Sequence, residues 1–194
     1  AVEAAHTEAV AARNGIGLVK LMGRDSGFIA AYTALADSRV NYCLVPENPF
    51  TVEALLPSLR KRLQGRGHAV IAVAEGAGQD LLQAPGERDA SGNVKYADIG
   101  LFLRDRLKQC CEAEGMEINL KYIDPSYTIR SVPANTFDSA FSLLLGHNAV
   151  HAGMSGRTGL VVGNWRDAFT HVPIARAVAQ RKKIDLGGWL WNAV

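Results

Sequence analysis

Met22, Gly23 and Arg24 stand between an apolar run and a helical pattern, in the stretch Val19-Lys20-Leu21-Met22-Gly23-Arg24-Asp25-Ser26-Gly27-Phe28-Ile29-Ala30. Ile16 to Leu21 reads as a buried strand. Ser26 to Ala36 reads as a helix, with apolar residues recurring at helical spacing. A strand that feeds a helix through a glycine turn is where open α/β sheets bind ligands, because the first N–H groups of the helix lack partners within it. Ser26 or Asp25 is expected to cap that helix. Gly23 lets backbone approach a ligand, and Arg24 supplies a rigid cationic fork. This is chemistry for an anionic small molecule. The same spacing also fits a capped turn with a surface arginine.

Further candidates follow other strand ends. Glu75 comes directly after Ala69-Val70-Ile71-Ala72-Val73-Ala74 and before Gly76-Ala77-Gly78. A carboxylate at the carboxyl end of a buried strand is a site candidate, although a helix-capping loop reads the same way. Tyr127 and Arg130 follow the strand expected over Met116 to Ile123, and Lys121 lies within that strand. In a parallel sheet the carboxyl ends share one edge, so these groups can converge. Two or three cations, a phenol and a carboxylate suit a phosphorylated polyol, with Arg and Lys for the phosphate and Glu for sugar hydroxyls. They do not suit a metal. His147 and His151 share a helix face, but Asn148, Ala149 and Val150 between them lack the glutamate of a zinc-protease pattern. No nucleophile stands out, since Ser26 follows Gly-Arg-Asp and not the Gly-x-Ser-x-Gly elbow. Neither a Walker motif nor a Gly-x-Gly-x-x-Gly fingerprint is present. The residues read as a substrate-binding half without its chemistry.

The elements that must position these groups alternate. Helices are expected over Ala1 to Ala12, Ser26 to Ala36, Thr51 to Gln64, Asp98 to Ala113 and Asn135 to Ala152. Strands are expected over Ile16 to Leu21, Asn41 to Val45, Ala69 to Ala74, Met116 to Ile123 and Thr158 to Val162, with Asp167 to Pro173 as an edge strand. Gln83 to Lys95 reads as a polar loop, and the tail from Ile184 ends in a Trp-rich short helix. Leu101, Leu103, Leu107 and Cys110 or Cys111 are expected on the inner side of their helix. The continuous apolar run at Ala69 to Ala74 implies burial on both faces. The fold expected is α/β: a mostly parallel sheet with helices on both faces, forming one substrate-binding lobe over 1–194.

Composition narrows the classes. The 194 residues are 48% hydrophobic and 21% charged with a net charge of +2, a chain able to build a core. No basic stripe interleaved with aromatics points to nucleic acid. No apolar run reaches the length of a membrane span. Cys43, Cys110 and Cys111 make an odd total, which argues against a disulfide framework and for a reducing, cytoplasmic compartment. The chain lacks an initiator Met and opens inside a helical pattern, so a piece of a longer protein is expected.

Met22-Gly23-Arg24 resembles the fructose 6-phosphate motif of the phosphofructokinases. Gly17-Leu18-Val19-Lys20-Leu21-Met22-Gly23-Arg24-Asp25-Ser26-Gly27-Phe28-Ile29-Ala30 is similar to the branch holding plant, trypanosomal and many bacterial enzymes. Ala74-Glu75-Gly76-Ala77-Gly78-Gln79-Asp80, Lys121-Tyr122-Ile123-Asp124-Pro125-Ser126-Tyr127-Thr128-Ile129-Arg130 and Ala149-Val150-His151-Ala152-Gly153-Met154-Ser155-Gly156 match further blocks of that branch. The resemblance covers nearly the whole chain. It implies that Met22, Gly23 and Arg24 bind the sugar phosphate, with Arg24 the catalytic group near the transferring phosphoryl. It implies that Glu75 takes sugar hydroxyls and that Lys121, Tyr127 and Arg130 hold the 6-phosphate. The implied reaction is phosphorylation of the 1-hydroxyl of fructose 6-phosphate in glycolysis, by a cytoplasmic homo-oligomer. ATP is expected over pyrophosphate as donor. Mg²⁺ would be bound mainly by the donor and by the family's first half. That half carries a Gly-Gly-Asp donor loop and a Thr-Ile-Asp-Asn-Asp block with the catalytic aspartate, neither of which occurs in these residues. A non-catalytic sugar-phosphate-binding or regulatory module is the alternative. The well-known bacterial branch has arginine in place of Lys121 and histidine in place of Tyr127. It also has, at the position of Gly15, an arginine donated across a subunit interface.

Overall fold

The apolar strand runs and the helical patterns between them organise the first part of the chain. Val2–Val10 (α1), Gly15–Leu21 (β1), Phe28–Ala36 (α2), Tyr42–Leu44 (β2), Val52–Arg66 (α3), His68–Ala74 (β3), Ile99–Ala113 (α4) and Asn119–Ile123 (β4) follow in alternation. The computed structural model describes residues 1–82 and 95–194. The expected polar loop lies outside the described residues except for Lys95. The four strands pair in the order β2-β3-β1-β4, every pair parallel. Every residue of β3 after His68 is buried, as its apolar run requires.

Right-handed crossovers put helices on both faces. On one face α1 lies against β1, and the approach is close because the strand offers glycine. A Cβ on Gly17 would sit 2.7 Å from the Ala5 carbonyl oxygen, and one on Gly15 would overlap the Ala9 carbonyl. No side chain fits at Gly15 in this packing. On the other face the Tyr122 ring lies under the first turn of α4 at Gly100. Ile99, Leu103, Leu107 and Cys111 form the buried stripe of α4 at four-residue spacing, and α3 packs beside it. Leu101, expected inside, is exposed. It falls two residues from Ile99 and Leu103, on the far side of the helix.

Helix ends follow side-chain chemistry. Thr51 accepts the Ala54 N–H at 3.2 Å, Asp98 accepts those of Gly100 and Leu101 at 2.9 and 3.1 Å, and Asn135 accepts that of Asp138 at 2.8 Å. A short helix not expected from the sequence, Ser126–Arg130 (α5), follows β4. Thr136–Met154 (α6), the antiparallel strands Leu160–Trp165 (β5) and Ala168–Pro173 (β6), and Ile174–Ala177 (α7) come next. Arg166 and Asp167 join β5 to β6 with φ of 49° and 63°, the backbone of a two-residue hairpin turn. The expected edge strand thus pairs as a hairpin. The tail ends in Trp189–Asn192 (α8), whose Leu190 is buried.

By its contacts the chain groups into two compact units, 1–129 with 183–194 and 130–182, within what the sequence reads as one lobe. In the second unit Phe141 stacks between Phe137 and Phe169, at 6.1 and 6.2 Å. Ala152 is the one fully buried residue of that unit, while Phe137, Leu143 and Met154 of α6 are exposed.

The α1–β1 contact sets a stability test. Gly17→Val should lower the unfolding free energy by about 1–3 kcal/mol, because the added atoms overpack against α1. Gly65→Ala, in α3 where nothing lies within 4 Å of the new methyl, should raise it by about 0.5–1 kcal/mol. Urea titration of both variants of the full-length protein measures the difference.

Candidate functional site

β1 and β3 end level. Leu21 is in register with Ala74, and the Glu75 N–H extends the ladder by donating to the Leu21 carbonyl at 2.8 Å. The turn that starts at Met22 and the loop that starts at Glu75 therefore leave the same sheet edge side by side. A Cβ on Gly76 would overlap the Arg24 carbonyl oxygen, so the two backbones touch. Gly23 has φ of +129°, a conformation closed to residues with a Cβ. Gln79 braces the second loop, its Nε2 donating to the Glu75 carbonyl at 2.7 Å and to the Ala97 carbonyl at 3.1 Å. Asp25 accepts the Tyr96 hydroxyl at 2.6 Å. Met22, Gly23, Arg24 and Glu75 are thus brought together, with the Arg24 side chain exposed.

The start of α2 differs from expectation. Gly27, and neither Ser26 nor Asp25, is its N-cap residue. The Gly27 N–H donates to both oxygens of Glu47, at 3.1 and 3.0 Å. Glu47 Oε1 also accepts the Ile184 N–H at 3.0 Å. A carboxylate of the protein occupies the place where the sequence pointed to a ligand anion. The cap comes from the segment after β2, a partner that local spacing does not reveal.

The remaining candidates sort by register. Val19 is level with Ile123, so the next residues, Lys20 and Asp124, are neighbours at the sheet edge. Lys121 is level with Gly17 and exposed, on the α1 face of β4. That is roughly 13 Å below the end of β1 at about 3.3 Å per residue. Tyr127, 81% exposed, and Arg130 both sit on α5, three residues apart on one side of it, and Arg130 opens the second unit.

Lys20, not singled out from the sequence, is the cation that the strand ends do hold. Its Nζ donates to Asp98 Oδ2 and to Asp124 Oδ2, each at 2.8 Å, and lies 5.9 Å from the Tyr122 ring centroid. The Tyr122 hydroxyl donates to Asp98 at 2.9 Å. Burial works against the Lys20 ammonium, but the bonds to Asp124 and Asp98 outweigh it and raise its pKa above the ordinary value. Burial pushes the Tyr122 phenol up to about 12, against the pull of Lys20. Burial also disfavours both carboxylates, yet Lys20 holds Asp98 and Asp124 below the usual carboxylate range. The signal for Lys20 was a lysine inside an apolar strand run, on the pleat opposite to Gly17 and Val19.

The family model described as Phosphofructokinase matches residues 1–153. The chain belongs to the phosphofructokinase family. It is 48% identical over its whole length to the ATP-dependent 6-phosphofructokinase of Borreliella burgdorferi, spanning 46% of that relative. It is 44% identical to the ATP-dependent 6-phosphofructokinase of Trypanosoma brucei brucei, again over its whole length and 40% of that relative. The chain thus spans about half the length of the curated relatives it matches, or less. Among solved structures, the pyrophosphate-dependent phosphofructokinase from Marinobacter aquaeolei superposes with a TM-score of 0.69 over 95% of this chain and 46% of that one, at 21% identity. That likeness establishes the phosphofructokinase fold of the chain.

The ion network gives a pH dependence with a fixed sign. Asp98 and Asp124 bind protons more weakly folded than unfolded, so their stabilisation is complete above the ordinary value of 3.8 and is lost as pH falls through their lower folded values. Lys20 binds its proton more tightly folded, so its share is complete below 10.5 and is lost only at higher pH. Thermal melts of the full-length protein should show a plateau between about pH 5 and 10. In Lys20→Met the acid limb should begin about one pH unit higher, since both carboxylates then titrate without their cation.

Proposed function

We propose that this chain is the acceptor-binding part of an ATP-dependent 6-phosphofructokinase, which transfers a phosphoryl group to the 1-hydroxyl of fructose 6-phosphate. The observation that carries the reading is the level ending of β1 and β3, which puts the Arg24 turn against the Glu75 loop. A sugar lying across those loops meets a carboxylate for its hydroxyls and a guanidinium for a phosphoryl group. In the proposed roles Met22 and Gly23 shape the bed of the sugar. Arg24 stabilises charge as it builds on the transferring phosphoryl, and Glu75 accepts hydroxyl hydrogen bonds. Tyr127 and Arg130 bind the 6-phosphate from α5, while Lys121, on the α1 face below the strand ends, stands outside that contact.

The donor is read as ATP because the curated relatives bear that name, with pyrophosphate as the competing donor. Mg²⁺ would supply charge neutralisation on the donor. The ion's ligands are then proposed on the donor and on the part of the relatives' length outside this chain. No helix of the described residues is long and apolar enough to cross a membrane. Cys43, Cys110 and Cys111 are free thiols, the state that a reducing cytoplasm keeps. A homo-oligomer is supported by the apolar side chains that α6 exposes, surface available to another copy or to the remainder of the protein.

Steady-state assays of the full-length protein with fructose 6-phosphate, supplying ATP or pyrophosphate in turn, test the reading. Turnover with ATP is expected, and no phosphorylation of the sugar with either donor overturns it. Arg130→Ala should raise the KM for fructose 6-phosphate about 30-fold or more, the loss of about 2 kcal/mol of charge-assisted contact, with a smaller effect on kcat. Arg24→Ala should lower kcat more than it raises KM, because charge reaches that position only in the transition state.

A further inference from the structure

We infer that Lys20 is a positioning residue for the phosphate end of the substrate, acting through Asp124 on the helix that carries Tyr127 and Arg130. The inference rests on the proposed function and assigns a role to a residue outside the contact set. Asp124 uses both oxygens. Oδ2 accepts from Lys20 at 2.8 Å, and Oδ1 accepts the Ser126 N–H, the first of α5, at 3.2 Å. One carboxylate therefore joins the end of β1 to the beginning of α5. The helix is five residues long, none of them buried, and this bond fixes its first N–H. Lys20 is itself fixed. It is mostly buried, with 16% of its side chain exposed, and Asp98, the N-cap of α4, holds it from the other side. The β1 end, the α4 start and the α5 start are thereby locked around one ammonium.

Fixing α5 matters to the phosphate more than to the reacting hydroxyl. Tyr127 and Arg130 are carried by α5, so the direction from which they meet a phosphate follows the position of its first turn. Arg24 and Glu75 depend instead on the β1–β3 ladder, which survives the loss of Lys20. The effect of removing Lys20 is thus expected in sugar phosphate binding, with the chemical step largely spared.

The experiment is steady-state kinetics on the full-length enzyme with fructose 6-phosphate and ATP, comparing wild type with Lys20→Met, Lys20→Arg, Asp124→Asn and Arg130→Ala. The expected result is a KM for fructose 6-phosphate about tenfold higher in Lys20→Met and in Asp124→Asn, with kcat and the KM for ATP within about threefold of wild type. Lys20→Arg, which keeps the charge and two donors, should return KM to within about threefold of wild type. Asp124→Asn keeps the shape of the side chain and reads the same link should Lys20→Met fail to fold. An unchanged KM in whichever of the two variants folds overturns the inference, as does a uniform loss across kcat and both KM values. Wild-type turnover together with a raised KM in Arg130→Ala keeps the proposed function standing in that event. Their absence removes the function itself and the inference with it.

Discussion

β1 has a neighbour on every side, and that constraint governs the molecule. β3 bonds one of its edges and β4 the other, α1 covers one face and α4 the other. Each position on the strand has its residue type set by the neighbour it meets. Glycine stands where α1 comes within contact of backbone, aliphatic side chains where the core closes, and a lysine only near the last residue, where the sheet edge opens. Because the backbone groups of such a strand are satisfied on both edges, its end cannot shift without breaking ladder bonds. The separation between the Arg24 turn and the Glu75 loop is fixed by the sheet before any ligand arrives, which is the rigidity that positioning chemistry requires.

Much of this architecture was legible in the chain. The run from Ala69 to Ala74 can be satisfied only by cover on both faces, and a strand of that kind with helical patterns on either side leads to a parallel sheet. Helix starts were legible at Asp98 and Asn135, whose side chains reach N–H groups two or three residues on. They were illegible where the partner is distant, as with Glu47. Helix α5 is illegible because five residues after a proline carry no period to detect. The exposure of Leu101 is illegible because an apolar residue two positions from the buried stripe looks the same in sequence as one within it.

The contrast between Lys20 and Lys121 shows where sequence reasoning reached its limit. Both lie in strands that lead to site loops, and both are plausible cations for a phosphate. What separates them is pleat parity and register, which depend on neighbouring strands. Lys121 shares its face with Gly17 and α1. Lys20 shares its face with Tyr122 and the start of α4, and it is level with Asp124. A lysine in a buried run is costly unless carboxylates accompany it. Here two of them come from segments about 80 and 100 residues further along the chain, at Asp98 and Asp124. Fold and site were therefore solved together: the network that lets a lysine sit in the sheet also ties down the loop beyond it.

Glu47 bears on the division of the site. A helix start with unpartnered N–H groups attracts phosphate, and the turn at Met22 to Gly27 has the sequence for it. The protein fills that position with its own carboxylate, which also holds the tail at Ile184. A dianion placed there would displace an internal ligand and meet a like charge. On the proposed reading, the stable phosphate of the substrate is then best bound away from α2, by the exposed phenol and guanidinium of α5. The Arg24 side of the edge is left for a phosphoryl group that passes through and departs. A permanent anion trap beside the reacting hydroxyl would bind the product as tightly as the transition state, and binding both equally would not accelerate transfer. By accepting the Gly27 N–H, Glu47 leaves the stabilisation of charge at that end, on the proposed reading, to Arg24.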